Sequence, residues 1–308
     1  MRALKTILLV GAAILYSHAL AQTPGSSSLG EPFYRWMGNG GYDVQDYDAS
    51  LRMTADFNIA EGSVTIEAVA TQNLSAFNLD FGQLRVTEIN VNGLIAKFVH
   101  KDPELTITPA NPIRSGDRFR LRVNYDGLPG SRAFVPGLEL TAWNRAFNLL
   151  VVMAEPNRLL DWMPSNDHPT DKATFTLRLT APKELTIAAG GTLISQQDNA
   201  DATHSSVFRY ATPTTTYGVF FALGDQRLET AAAVGGVQIR HYLSPATSDQ
   251  MRRAVAQSGA MIQFFEARLG PYPFTEFGVL THQVEAAYGL ETQSLVSLPA
   301  NWRISGSG

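Results

Sequence analysis

The acidic side chains that could do chemistry fall in two stretches of this sequence. The first runs from Met153 to Phe175 and also holds a histidine, a tryptophan and three prolines, and the second lies near residue 290. The carboxylates concerned are Glu155, Asp161, Asp167, Asp171, Glu285 and Glu291. Carboxylates can bind an ammonium group or act as general acid and base. In loops, however, they are most often solvated charges or caps, so sequence position alone assigns them no role.

Several other kinds of catalytic site are excluded by the sequence. No two of the six histidines stand four residues apart, so an H-E-x-x-H zinc helix is absent, and without cysteine there is no thiolate metal site and no disulfide. There is no G-x-S-x-G nucleophile turn, no phosphate-binding loop and no dinucleotide fingerprint. The aspartates of the first stretch lack the spacing of a calcium loop. A glycosidase-type carboxylate pair stays open, because a sequence does not give the distance between two side chains.

The segments that would position these acids have mostly a β pattern. Between Tyr47 and Tyr125, apolar and polar residues alternate with period two, which is typical of half-buried strands. Asn92-Gly93 is a hairpin signal, since both residues tolerate positive φ. Strands are also predicted at 173–179, 185–189 and 217–223. We therefore predict a mainly β fold whose N-terminal domain is an antiparallel β sandwich or saddle.

The pattern changes after residue 236 and predicts a second domain. A strand is predicted at 237–243, then a long helix that Ser248 caps and Gly270-Pro271 ends, then a strand at 277–281. This order is typical of the start of an α/β domain. The predicted organisation is a signal peptide at 1–21, a flexible linker at 22–41, a β domain at 42–230 and the incomplete start of a second domain at 231–308.

The N-terminus and the composition give expectations about location and partners. A positive start, an apolar core from Ile7 to Tyr16 and small residues at Ala19-Leu20-Ala21 predict a signal peptide cleaved after Ala21. We expect an exported protein, periplasmic or secreted, with no membrane span. The chain has 24 basic and 28 acidic residues and a net charge of −4, which does not favour nucleic acid as a partner.

Three motifs follow one another in the first acidic stretch, namely Glu155-Pro156-Asn157, Trp162-Met163-Pro164 and the run Asp167-His168-Pro169-Thr170-Asp171-Lys172-Ala173-Thr174-Phe175. Together they resemble a signature of bacterial members of the aminopeptidase N family of zinc aminopeptidases. Further similar pieces follow the family's order, namely Phe77–Phe81, Val91–Gly93, Arg268–Phe274 and Tyr288–Gln293. The last resembles the G-A-M-E-N exopeptidase motif. The resemblance spans roughly residues 42 to 298 and implies that the second domain is the beginning of a thermolysin-like catalytic domain.

The resemblance also implies roles for particular residues. Glu155 and Glu291 match the two positions that bind the free α-amino group of a peptide, and the backbone of Gly289 and Leu290 matches the edge beside the substrate. We assign Trp162, Asp167 and Lys172 to structural support of the loop that carries Glu155, with Asp167 and Lys172 as an ion pair. Tyr288 is interpreted as a packing residue. The expected partner is a peptide with a free N-terminus.

The sequence departs from the family at three places. Met153 replaces the glutamine that lines the first substrate pocket in many relatives, and Tyr288 and Leu290 replace the common glycine and methionine. The family's cofactor is zinc, but this sequence offers no zinc ligands, because it ends at Gly308 before any H-E-x-x-H motif.

Three hypotheses follow. In the first, this is a truncated zinc aminopeptidase that is inactive by itself and exposes the apolar face of its long helix. The second is a non-catalytic peptide-binding module or scaffold. The third is a carboxylate-pair glycosidase.

Overall fold

The computed structural model describes residues 22–135, 138–146, 148–284 and 289–302. The predicted signal peptide at 1–21, together with Glu285 and Tyr288, lies outside the described residues. Within the described part, strands dominate, as the alternating patterns predict.

The first half of the chain forms nine strands, and the longest of them have the predicted alternation. They are β1 (Thr23–Pro24), β2 (Tyr42–Met53), β3 (Ile59–Ala70), β4 (Leu74–Asp80), β5 (Arg85–Val91), β6 (Leu94–Ile95), β7 (Lys97–Lys101), β8 (Glu104–Thr108) and β9 (Arg118–Gly127). In β9 the aromatic and aliphatic side chains are buried, while the arginines between them are exposed. Asn92 and Gly93 join β5 to β6 with φ angles of 52° and 81°. The hairpin turn predicted there is therefore confirmed.

Nine further strands complete the first domain. They are β10 (Arg132–Val135), β11 (Leu138–Leu140), β12 (Trp143–Ala146), β13 (Leu149–Val152), β14 (Ala173–Pro182), β15 (Thr186–Ala189), β16 (Thr192–Asp198), β17 (Thr203–Thr214) and β18 (Phe221–Gly224). The strand predicted at 217–223 begins too early, because Thr216–Gly218 is a 3-10 turn. The Val219 N–H donates to the Thr216 carbonyl within the chain, so it is not free to pair with another strand.

Three sheets enclose one core. The largest has the order β16-β17-β14-β2-β3-β9-β5-β6 and is antiparallel except where β14 runs parallel to β2. Two four-stranded sheets, β1-β4-β8-β7 and β12-β13-β18-β15, supply the remaining walls. Tyr47, Phe77 and Phe221 come from different sheets and belong to a single buried cluster. This arrangement confirms the predicted β sandwich.

The segment predicted as a flexible linker is packed on this domain. Thr23 and Pro24 form a parallel bridge to β4, and the Gly25 N–H donates to the Ala76 carbonyl at 2.8 Å. Met37 and Asn39 are buried. The Gly- and Ser-rich composition suggested a flexible chain, but these backbone groups find partners on the edge of β4.

The second part of the chain has strand, helix and strand in the predicted order. Its elements are β19 (Arg227–Val234), β20 (Val237–Leu243), α1 (Asp249–Val255), α2 (Ser258–Leu269), β21 (Glu276–Phe277), β22 (Val279–His282), β23 (Leu290–Glu291) and β24 (Val296–Pro299). Ser248 caps α1 by accepting a hydrogen bond from the Met251 N–H. The single predicted helix is two helices that meet at Ala256 and Gln257. The sheet order is β19-β20-β22-β24-β23, with β21 beside β20.

Strand β19 crosses the predicted domain boundary at residue 230. It pairs with β20 along most of its length, through a turn at Gly235-Gly236. The change from one domain's sheets to the other's therefore falls between β18 and β19. The domain bounds themselves stay predictions.

The two parts meet through an apolar layer on the outer face of the sheet β12-β13-β18-β15. Met153, Phe220 and Ala222 from the first part pack with Leu280 and Leu290 from the second. This layer places the end of β13, which leads to Glu155, against the hairpin of β23 and β24, which carries Glu291. No helix within the described ranges is long and apolar enough to cross a membrane.

Candidate functional site

Glu155 stands at the exit of β13, where the chain leaves the core. Met153 and Ala154 are both buried, and the Met153 N–H donates to the Ala142 carbonyl at 3.0 Å. Glu155 is the first exposed side chain after the strand and is joined to Pro156 by a cis peptide bond. Its carboxylate is therefore presented to solvent from a backbone that the sheet holds in place.

The loop that follows Glu155 is supported by a buried indole and a buried ion pair. Trp162 is fully buried, and its ring meets Phe221 edge to face with 5.3 Å between ring centroids. Arg158 pairs with Asp161 at 2.9 Å, and the same carboxylate accepts from the Ala142 N–H at 2.9 Å. A charge inside a protein is tolerated when it is paired in this way. Trp162 thus packs into the core of the β domain, and its supporting role for the loop stays a prediction.

The predicted ion pair between Asp167 and Lys172 is wrong. Asp167 is buried and accepts from the Leu160 N–H at 3.3 Å, whereas Lys172 is exposed and has no ion pair with it among the described residues. Side chains alternate along a strand, so Ala173 and Phe175, which face the core, direct Lys172 to solvent. Without a cation beside it, burial raises the pKa of Asp167 to about 6.

A buried network of amides and carboxylates takes the place of that pair. Asp80 accepts from the Asn39 amide at 3.0 Å and from the Asp167 N–H at 2.8 Å. Asn166 donates to Asp171 at 2.5 Å, and the Val44 N–H donates to the same carboxylate at 3.2 Å. The network joins the N-terminal segment, β2, the end of β4 and the loop after Glu155.

Burial disfavours the ionised carboxylates of this network. It raises the pKa of Asp171 to about 7, and burial together with the nearby Asp167 charge raises the pKa of Asp80 well above its usual range. Asp171 belongs to the motif run that ends at Phe175, whereas nothing in the sequence connects Asn39 and Asp80 with that run. Their spacing along the chain, more than a hundred residues from the loop in one case, gives no signal.

Glu291 lies on a short hairpin in the second part. In the pairing of β23 with β24, Leu290 stands opposite Ser297 and Glu291 opposite Val296. Leu290 is buried, whereas Glu291 is exposed. At Gly289, a Cβ atom would come within 2.8 Å of the side-chain ends of both Leu298 and Trp302, so a larger residue would have to displace them.

The two acid-bearing segments meet through a direct contact. The Ser297 hydroxyl donates to Met153 Sδ at 3.6 Å, and Met153 and Leu290 belong to the same buried cluster. Glu155 is two residues from Met153, and Glu291 is next to Leu290. The structure thus brings the neighbourhoods of both predicted binding acids together, with each carboxylate on the exposed side.

Strand β23 ends the sheet on this side. Within the described part of the chain it pairs only with β24, so its other edge has no strand partner. A free edge can accept a peptide as an added strand. The backbone of Gly289 and Leu290 lies beside this edge.

The residues of this site do not fit a zinc ion. No group of three or more histidine, aspartate or glutamate side chains lies close enough to hold a metal within 22–135, 138–146, 148–284 and 289–302. His282 is buried, and burial lowers its pKa to about 4, but among the described residues it belongs to no group of three such side chains that could hold a metal.

The fold matches that of known peptidases. Residues 44–217 match the family described as the peptidase M1 N-terminal domain. The chain belongs to this family. It also superposes on the crystal structure of an M1 zinc metallopeptidase from Deinococcus radiodurans with a TM-score of 0.78 and 28% identity, covering 89% of this chain and 63% of that one. The fold prediction and the family resemblance are both confirmed.

Further similar proteins are a metallopeptidase variant and two aminopeptidases. A variant of the Deinococcus radiodurans M1 zinc metallopeptidase, bound to a Tyr-Ser-Ala substrate, superposes with a TM-score of 0.80 and 29% identity over 89% of this chain and 64% of that one. Aminopeptidase 2 of Candida albicans is 22% identical over 257 residues, 82% of this chain and 28% of the relative. Leucine aminopeptidase 2 of Yarrowia lipolytica is 26% identical over 236 residues, which are 74% of this chain and 35% of the relative. The M1 chain described here therefore spans about a third of these curated relatives, and membership supports a peptidase-type function.

Proposed function

We propose that this M1 chain binds the free N-terminus of a peptide between Glu155 and Glu291, as the substrate-anchoring part of an exported zinc aminopeptidase. The observation that carries the proposal is the contact between Met153 and Ser297, because it brings the two acid-bearing segments together. The motif positions of Glu155 and Glu291 support it, as does the Tyr-Ser-Ala substrate of the Deinococcus radiodurans neighbour.

The chemistry of two carboxylates suits a peptide N-terminus. An α-ammonium group offers three N–H donors and a positive charge, and carboxylates accept from it in charge-assisted hydrogen bonds. A peptide blocked at its N-terminus lacks the charge, so the pair selects peptides that an aminopeptidase can cleave. The free edge of β23 would hold the peptide backbone that follows the amine.

Recognition and hydrolysis are separate parts of the proposal. Zinc in these peptidases activates water for attack on the peptide bond. Because the described residues do not fit zinc, we confine the proposal for this chain to binding of the amine. Export by residues 1–21 belongs to the proposal and is tested by the N-terminal sequence of the secreted protein.

Calorimetric titration tests the amine anchor. The peptides are Tyr-Ser-Ala and its N-acetylated form, and the variants are Glu155→Gln and Glu291→Gln. A hydrogen bond to a charged group contributes about 1.5 to 3 kcal/mol, so each variant should bind the free peptide roughly tenfold or more weakly. The acetylated peptide should bind weakly to all three proteins.

Glu184→Gln is the matched control. Glu184 is exposed and precedes β15, at the opposite end of the sheet from Gly190. Its substitution removes a surface carboxylate without touching the site, so the affinity should stay that of the wild type. Equal affinity of the wild type for free and acetylated peptide would exclude the proposed anchor.

A further inference from the structure

The turn at Gly190-Gly191 lies at the same sheet edge as Glu155. Strands β13 and β15 are both antiparallel to β18, so they run in the same direction, and Val152 and Ala189 both pair with Phe221. Their carboxyl ends therefore stand side by side across one strand, about 10 Å apart. Glu155 follows the first of these ends, and the glycine turn follows the second.

The second part of the molecule holds this turn by its backbone. The Gly191 N–H donates to the Ser294 hydroxyl oxygen at 2.7 Å, and Arg240 donates to the Gly191 carbonyl at 3.0 Å. Arg240 is itself paired with Glu276 at 2.8 Å, and all these groups are largely shielded from solvent. Both backbone polar groups of Gly191 are thus bound by side chains from the second part of the chain.

Ser294 belongs to the turn that joins β23 to β24. Within that turn the Thr292 hydroxyl donates to the Leu295 carbonyl at 2.5 Å, and the Gln293 amide donates to the Pro213 carbonyl of the β domain at 3.3 Å. Glu291 lies three residues before Ser294. The hydroxyl of Ser294 therefore connects the Glu291 hairpin to the sheet edge that also carries Glu155.

The glycines permit this close approach. Gly191 has a φ of 77°, and a Cβ atom there would lie 2.7 Å from the Arg209 carbonyl oxygen. A Cβ atom at Gly190 would lie 2.3 Å from the Tyr210 hydroxyl. Any other residue would displace the turn, and with it the N–H group that reaches Ser294.

We propose that Ser294 and Gly191 are positioning residues that fix Glu291 relative to Glu155. The inference rests on the proposed amine anchor and adds what sets its geometry. Neither residue is assigned a contact with the substrate. Loss of the hydroxyl leaves the buried Gly191 N–H without its partner and removes one of the hydrogen bonds that join the hairpin to the β domain, so discrimination between free and blocked peptides should fall.

The test uses Ser294→Gly, because Ser294 has a φ of 68° that glycine adopts without strain. The turn keeps its backbone conformation while the hydroxyl is removed. The readout is the ratio of affinities for Tyr-Ser-Ala and its N-acetylated form. We expect the ratio to fall about fivefold or more, as the charge-assisted bonds to Glu291 lose their alignment. Ser294→Asn, which tolerates positive φ and retains an acceptor oxygen, should recover part of the ratio.

Two comparisons separate positioning from general destabilisation. Ser258→Ala removes another buried hydroxyl of the second part, which donates to the Val255 carbonyl at 2.6 Å, and should leave the ratio unchanged. In the double variant Ser294→Gly with Glu291→Gln, the ratio should be no lower than in Glu291→Gln alone, since both changes act on one interaction.

The outcomes distinguish the positioning role of Ser294 from the amine anchor itself. An unchanged ratio in Ser294→Gly, or additive losses in the double variant, would overturn the positioning role while leaving the amine anchor intact. A wild type that does not distinguish the free from the acetylated peptide overturns the anchor, and the positioning role with it.

Discussion

Glu155 and Glu291 are presented by two regions that are built in different ways. Behind Glu155, every residue from Asn157 to His168 is buried in the β domain. The hairpin that carries Glu291 has strands of two and four residues, and side-chain hydrogen bonds join it to the β domain at Gly191 and Pro213. One acid is held by its own domain's core, and the other depends on contacts across the domain interface.

The apolar packing shows the same difference. The β domain buries most of its large aromatic side chains in one continuous cluster. In α2, by contrast, Ile262 is buried while Phe264, Phe265 and Leu269 are 52%, 55% and 81% exposed. Stability should therefore reside mainly in the β domain, and changes in the two regions should have effects of very different size.

Trp162→Ala should give the largest effect. The indole is fully buried against Phe221, and truncation of a buried aromatic residue to alanine costs about 3 to 5 kcal/mol. The free energy of unfolding, measured by urea titration with circular dichroism, should fall by this amount. Peptide binding should weaken as well, since the loop that carries Glu155 loses its support.

Trp36→Ala is the matched control for that change. Trp36 is 57% exposed, so its removal should alter the free energy of unfolding by about 0.5 kcal/mol or less. If the two tryptophan variants were equally stable, the loop after Glu155 would not be part of the core, and the contrast between the two regions would fail.

The sequence predicts the parts of this fold that local pattern controls. The alternation in β9, the turn at Asn92-Gly93 and the cap at Ser248 are each set by residues close together in the chain, and each is confirmed. The strand predicted at 217–223 begins too early because the apolar run there has no hydrophobic period. Without a period, the sequence does not show where the strand starts. The family resemblance, carried by motif order, located both candidate acids.

Long-range polar contacts could not be predicted. Lys172 was predicted as the partner of Asp167, but strand alternation turns the lysine outward. The Asp167 carboxylate accepts from the Leu160 N–H instead, and the Asp167 N–H donates to Asp80 of another element. The bond between Gly191 and Ser294 joins residues 103 positions apart, and neither residue type indicates the other.

The pH dependence of stability should show the buried network behind Glu155. The pKa of Asp171 is raised to about 7 in the folded state, whereas an unfolded chain has ordinary values near 4. The folded protein therefore binds this proton more tightly, and the resulting stabilisation, complete below about pH 4, is lost as the pH rises to about 7. Relative to the wild type, Asp171→Asn should gain roughly 2 kcal/mol between pH 5 and pH 8.

Subtracting the wild-type free energy of unfolding from that of Asp171→Asn at each pH removes the contribution of groups that titrate alike in both proteins. His168, His241 and His282 have lowered pKa values from burial and act in the opposite sense, but they titrate in both proteins. Asp201→Asn is the control, since the pKa of the exposed Asp201 is lowered to about 2 by Thr203 and Arg52, and its difference from the wild type should be flat over this range. A flat difference for Asp171→Asn as well would show that the network carries no such linkage.

The smallest effect on stability should come from the exposed face of the second part. Met261, Phe265, Leu269, Tyr272 and Phe277 line an apolar groove of about 480 Å³ beside α2. Leu269→Gln changes a side chain that is 81% exposed, so the free energy of unfolding should change by about 0.5 kcal/mol or less. Exposed apolar surface promotes association, however, and the variant should self-associate less in sedimentation velocity over a range of concentrations. Ile95→Gln changes a 73% exposed residue of the β domain and should not alter association. Equal association of the two variants would show that self-association does not involve this groove. The apolar surface of the second part would then be no more exposed to partners than that of the first.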